Sequence, residues 1–129
     1  MANFSNVRTN LAPLPVGPYS QAIVTPQLVF LSGQIAIDPS TGQLIAGDIS
    51  AQTEQVFRNI GAVLEACGLD WRRVVKTTVF LTQMADFAPM NAIYAQYFPP
   101  ENCPPARSCV AVFQLPLGAL VEIECIAIP

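Results

Sequence analysis

The sequence predicts an α+β domain, a β-sheet with two helices gathered on one face, and three observations lead there. Two segments repeat apolar residues at helical spacing between recognisable start and stop signals. The remaining apolar runs are short, rich in β-branched residues and bounded by proline- and glycine-containing turns. Their order reads β-β-α-β-α-β-β, with a further strand placed at Phe4–Arg8. No internal repeat, low-complexity tract or linker divides the 129 residues, so a single domain over 1–129 is expected.

Leu28–Ile35 is bounded by Pro26 and by the turn sequence Asp38-Pro39-Ser40-Thr41-Gly42, and reads as a strand. Asp48 is a natural N-cap for a helix running to about Cys67, with Gly68 as its stop. Val56, Ile60, Val63 and Cys67 mark its inner stripe, widened by Phe57 and Leu64. Val74–Thr82 is a β-branched strand whose incomplete alternation suggests cover on both faces. Asp86 is expected to cap a second helix that ends near Phe98, with Pro89 tolerated in its first turn and Met90, Ile93, Tyr94 and Tyr97 facing inward. Pro99, Pro100, Pro104 and Pro105 then hold an extended loop. Two last strands, Ser108–Leu115 and Leu120–Ile128, are joined by Pro116-Leu117-Gly118-Ala119. In the final one Val121, Ile123, Cys125 and Ala127 share a face, opposite Glu122, Glu124 and Ile126.

Composition narrows the function classes. Charged residues are 12% of the chain and hydrophobic ones 52%, whereas typical soluble domains carry about 25% charge. No apolar run approaches the ~20 residues of a membrane span, so the excess apolar surface is expected to be covered by self-association. A net charge of −3 with six basic residues disfavours nucleic acid as a partner. The first ten residues lack a secretory pattern, which points to the cytoplasm. The absence of histidine removes His-based metal sites, His general bases and Ser-His triads. Cys67, Cys103, Cys109 and Cys125 have no CxxC spacing and read as free thiols of a reducing compartment.

Three features break the local rules, and such places are where function tends to sit. Arg107 follows the stiff Cys103-Pro104-Pro105-Ala106 and opens an apolar strand. A guanidinium held this way suits a carboxylate ligand through two parallel hydrogen bonds; the alternatives are an intra-chain salt bridge and a plain surface cation. Glu122, with Glu124 beside it, interrupts an apolar strand. It pairs with a cation, works on a water molecule, or lies on a solvated face. The segments Gly17-Pro18-Tyr19-Ser20-Gln21 and Ser32-Gly33-Gln34 form the third feature. Gly17-Pro18 would present Tyr19, and Gly33 inside a strand marks a bulge or a close backbone approach. Cys109 would share Arg107's strand face, but without a histidine partner covalent catalysis is not expected of it.

Taken in order, these segments resemble the reactive intermediate deaminase (RidA/YjgF) family along nearly the whole chain. The resemblance rests on Thr9-x-x-Ala12-Pro13, Gly17-Pro18-Tyr19-Ser20-Gln21-Ala22, Ser32-Gly33-Gln34, Gln52-Thr53, Asn59 and Val75–Phe80. It continues through Asp86-Phe87, Asn91, Tyr94, Phe98, Pro105-Ala106-Arg107-Ser108 and Val121-Glu122-Ile123-Glu124. It implies a chorismate-mutase-like α+β fold assembled as a homotrimer, with a cleft between each pair of neighbours. It also implies that Arg107 binds the substrate carboxylate and Glu122 positions the hydrolytic water. Tyr19, Ser32, Gly33, Phe87, Asn91 and Cys109 would shape the pocket. The implied substrates are 2-iminopropanoate and 2-iminobutanoate, released by pyridoxal-phosphate dehydratases. An imine is already electrophilic, so neither metal nor cofactor is called for. A carboxylate-binding trimer acting as a metabolic sensor is the alternative, followed by a ribonuclease or translation inhibitor and a chaperone-like protein.

Overall fold

The computed structural model describes residues 3–129. Its main sheet has six strands. In chain order these are β1 (Ser5–Val7), β2 (Ala22–Val24), β3 (Val29–Gln34), β6 (Val74–Leu81), β7 (Ala106–Ala111) and β8 (Val121–Ala127). A two-residue ladder, β4 (Ile37–Asp38) with β5 (Gln43–Leu44), closes around the expected Asp38–Gly42 turn. Across the sheet the order is β1-β2-β3-β8-β6-β7, with β6 and β7 parallel and every other pair antiparallel.

Helix α1 (Ile49–Ala66) begins and ends on the signals the sequence carries. Asp48 accepts the Ala51 N–H at 3.0 Å. At the other end Gly68, at φ +74°, donates to Glu65 O while Leu69 donates to Leu64 O, which is a Schellman closure. Val56, Phe57, Ile60, Val63 and Leu64 are all buried beneath it. Helix α2 (Phe87–Tyr97) starts at the expected residue, yet Asp86 makes no side-chain cap. A 3₁₀ turn over Met84–Asp86 already holds Asp86 in helical backbone, and Pro89 lacks an N–H at the third helical position where a capping carboxylate would bond.

Both helices pack on one face of the sheet, where Leu31, Thr77, Val79, Leu81, Ile123 and Cys125 are buried. The opposite face is open within the chain. On β6 the outward residues Lys76, Thr78 and Phe80 are only half-buried, so the expected cover on both faces is absent from a single chain. Phe30 of β3 and Val110 of β7 are exposed on that face. The strand expected at Ser108–Leu115 begins earlier, at Ala106, and stops at Ala111. Its neighbour β6 ends at Leu81, and the last rung is Val112 N–H to Leu81 O at 2.7 Å, so residues 113–115 have no strand to pair with. β2 is a three-residue strand that the sequence reading did not delimit.

Candidate functional site

Arg107 is the second residue of edge strand β7, in register with Thr77, so its side chain rises on the helix face. Below it α2 presents Phe87, Asn91 and Tyr94, which lie on one stripe at i, i+4 and i+7 spacing. The guanidinium carbon stands 4.5 Å from the Tyr94 ring centroid and 5.4 Å from that of Phe87. Nη1 donates to Asn91 Oδ1 at 2.7 Å. Among the described residues the only ion pair is Arg72–Asp70 on the surface, so the intra-chain salt bridge open to Arg107 is not formed. A groove of about 400 Å³ runs beside it, lined by Asn91, Tyr94, Phe98, Pro104 and Arg107. Cys109 follows on the same face, half-buried. Burial pushes its thiol up while Arg107 pulls the other way, which keeps it a protonated, poor nucleophile at neutral pH.

Glu122 belongs to a second cluster. It sits on β8 opposite Phe80, on the open face of the sheet. Burial, and secondarily the Glu124 carboxylate, raises its proton affinity above that of an ordinary glutamate. Its carboxyl lies against the backbone of Gly33, where the β3–β8 register shifts between Leu31 and Gln34 as a strand glycine suggests. Neighbouring Ser32 donates to Ser20 O at 2.6 Å and tethers the Gly17–Gln21 loop to β3. Tyr19 of that loop, Gly33 and Glu122 line a cavity of about 640 Å³ whose other walls include Leu14, Val16, Ile35 and Leu117. Glu122 is the sole charged group among its lining residues.

The eight residues singled out in the sequence therefore fall into two groups of four. Phe87, Asn91, Arg107 and Cys109 gather on the helix side; Tyr19, Ser32, Gly33 and Glu122 gather on the open side. Arg107 and Glu122 are two strands apart and three residues out of step, roughly 14 Å along the sheet, and point to opposite faces. A small substrate cannot touch both within one chain. Sequence reasoning did not assign a role to Tyr94 beyond the core, nor find the cavity walls Leu14, Val16 and Leu117. The i+3 spacing from Asn91 is the one signal that could have drawn attention to Tyr94.

A model of the family described as Endoribonuclease L-PSP matches residues 9–129. The mouse (Mus musculus) protein described as 2-iminobutanoate/2-iminopropanoate deaminase is 44% identical over 122 residues, 95% of this chain and 89% of its own. The chain belongs to the RidA/YjgF family. An Arabidopsis thaliana relative, Reactive Intermediate Deaminase A, chloroplastic, is 51% identical over 94% of this chain and 64% of its own length. The crystal structure of a Rid family protein of unknown function from Yersinia pestis superposes with a TM-score of 0.94 at 48% identity, covering 98% of this chain and 99% of that one. The mixed six-stranded sheet with two helices on one face is thus the Rid fold, and among the described residues no helix is long and apolar enough to cross a membrane.

Proposed function

We propose that the chain is a cytoplasmic imine deaminase, hydrolysing 2-iminopropanoate and 2-iminobutanoate to 2-keto acids and ammonia in clefts between the subunits of a homotrimer. The observation that carries this reading is a guanidinium left without a carboxylate partner, on the opposite sheet face from a half-buried glutamate with raised proton affinity. The carboxylate and the imine carbon of a 2-imino acid are bonded neighbours. Arg107 and Glu122 can act on them together only if one chain supplies the cation and another the glutamate. The open face bearing Phe30 and Val110 favours such self-association. A net charge of −3 favours one small anion at one guanidinium over a phosphate-tracking surface.

In this reading Arg107 grips the carboxylate through N–H donors that Asn91 does not occupy. The protonated imine is the electrophile. Water adds to its carbon while Glu122 takes a proton from that water, giving a carbinolamine. Glu122 then returns the proton to the nitrogen, the C–N bond breaks as the carbinolamine hydroxyl gives up its own proton to become the carbonyl, and the ammonia takes up that proton and leaves as ammonium beside the 2-keto acid. A carboxyl with raised proton affinity suits both halves of that transfer, and a positioned base of this kind contributes ~10²–10⁴-fold.

The test feeds the protein with imine generated from L-threonine by purified threonine dehydratase, with semicarbazide competing as a trap. Wild-type protein should restore 2-ketobutyrate formation and Arg107→Ala should not. Equal rates for the two would remove the mechanism, and no effect from either would remove the enzyme reading.

A further inference from the structure

We propose that Tyr94 is a positioning residue for Arg107, its ring serving as a fixed platform that holds the guanidinium ready for a carboxylate. The proposal rests on the reading of Arg107 as the carboxylate anchor. An arginine on an edge strand, exposed and without an ionic partner, would ordinarily sample many rotamers, and each binding event would have to order it. Here the ring centroid of Tyr94 lies 4.5 Å from the guanidinium carbon, within cation–π range. A contact with the ring consumes no N–H donor, and the one guanidinium hydrogen bond present runs from Nη1 to Asn91, so the other donors are left for a ligand.

The platform itself is held from several sides. The Tyr94 hydroxyl bonds Thr77 Oγ1 at 2.7 Å, and Thr77 is fully buried. Thr77 is also the residue beside Arg107 in the β6–β7 register, so the strand that carries the arginine's neighbour anchors the far end of the ring. The ring packs edge-on to Phe57 with centroids 5.8 Å apart, and tilted against Phe98 at 4.9 Å. Phe57 is in turn stacked on Tyr97 at 4.4 Å. Tyr94 is 5% exposed and cannot swing away without disturbing this cluster. Asn91, one turn earlier on α2, then fixes the rotation of the guanidinium by accepting from Nη1. Phe87 is farther off, at 5.4 Å, and has no polar tether to hold its ring.

A core tyrosine that merely filled space would affect melting and leave ligand affinity alone, and that contrast sets the experiment. The stable probe is 2-ketobutyrate, whose Kd is measured by titration calorimetry alongside the thermal midpoint of each variant. Tyr94→Phe keeps the ring face and should bind close to wild type despite losing the Thr77 bond. Pentafluorophenylalanine introduced at the same position keeps nearly the same shape but inverts the ring's charge distribution. It should weaken binding about tenfold relative to Tyr94→Phe at a similar midpoint. Tyr94→Leu should weaken binding at least as much. Arg107→Ala is measured in the same series. If it leaves the Kd unchanged, the anchor reading itself is wrong. If Arg107→Ala abolishes binding while the fluorinated and Tyr94→Phe proteins share one Kd, the anchor stands and the platform is refuted.

Discussion

A methyl group added at Gly33 would stand 2.5 Å from Glu122 Oε2, 2.9 Å from its Cδ and 3.1 Å from its Cγ. Carbon atoms in ordinary contact keep about 3.5 Å or more, so the carboxyl must retreat by about 1 Å. The obstacle is the end of a flexible side chain, and Gly33 is not among the residues with left-handed backbone. The fold should therefore accept Gly33→Ala at a change of no more than ~1 kcal/mol in either direction. Catalysis should not accept it. Misplacing a reacting group by that much can cost ~10²-fold, against a total contribution of ~10²–10⁴-fold for a positioned base. We expect Gly33→Ala to lower kcat for imine hydrolysis about 100-fold with its melting midpoint close to wild type. The assay is keto-acid release against the semicarbazide trap, paired with scanning calorimetry. Wild-type kcat in Gly33→Ala, with Glu122→Gln inactive, would refute the reasoning, because the carboxyl would then work equally well from a displaced position.

Of three further predictions, two concern the Glu122 carboxyl and one a buried glutamine. Burial raises the proton affinity of Glu122, so between the ordinary glutamate range near ~4.3 and the raised value the folded chain holds a proton that the unfolded chain has released. Stability contributed by this group thus falls as pH rises through that window, and Glu122→Gln should raise the melting midpoint at neutral pH while leaving it unchanged at low pH. The activity of wild-type protein should correspondingly decline on the acid side at a pH above the ordinary glutamate range. Gln21, 1% exposed, accepts from Thr9 N–H and donates to the carbonyls of Thr9 and Pro13 at 2.8–3.0 Å. Gln21→Leu removes the partner of those half-buried groups and should cost about 1 kcal/mol or more in denaturant unfolding.

Much of this architecture was legible because the signals are local. Asp48 and Gly68 delimit α1, the Asp38–Gly42 turn closes a ladder, and Gly33 marks the bulge where Glu122 approaches. What escaped was set by partners far along the chain. β7 stops because β6 stops, and Asp86 fails to cap because a 3₁₀ turn and Pro89 decide the local geometry. Gln52 and Asn59 could be placed on a helix but not assigned a job. In the fold Gln52 accepts the Leu120 N–H at the start of β8, and Asn59 donates to the carbonyls of Ile35 and Ile37. Both fasten α1 to chain segments that run toward the Glu122 cavity. The separation of Arg107 from Glu122 depends on the pairing of β6 with both β7 and β8, and no motif states that register.

That separation is itself a matter of strand parity. Thr77 pairs with Arg107 on one side and Cys125 on the other, whereas Glu122 pairs with Phe80, an odd number of residues away, and so faces the other side. Had the two charges shared a face they could neutralise one another within one chain, lowering the proton affinity of Glu122 and occupying the donors of Arg107. Kept apart, the two charges cannot neutralise one another within one chain, and in the proposed assembly a second subunit would bring each its complement. Mixed assemblies test this directly. Arg107→Ala and Glu122→Gln chains, each inactive alone, would be unfolded together, refolded in equal amounts and assayed. If every site takes its arginine from one chain and its glutamate from a neighbour, about one quarter of the sites in a random mixture contain both intact residues. Activity near a quarter of wild type is the expected result. No recovery in assemblies proven to be mixed would mean that the two residues do not meet across a subunit boundary.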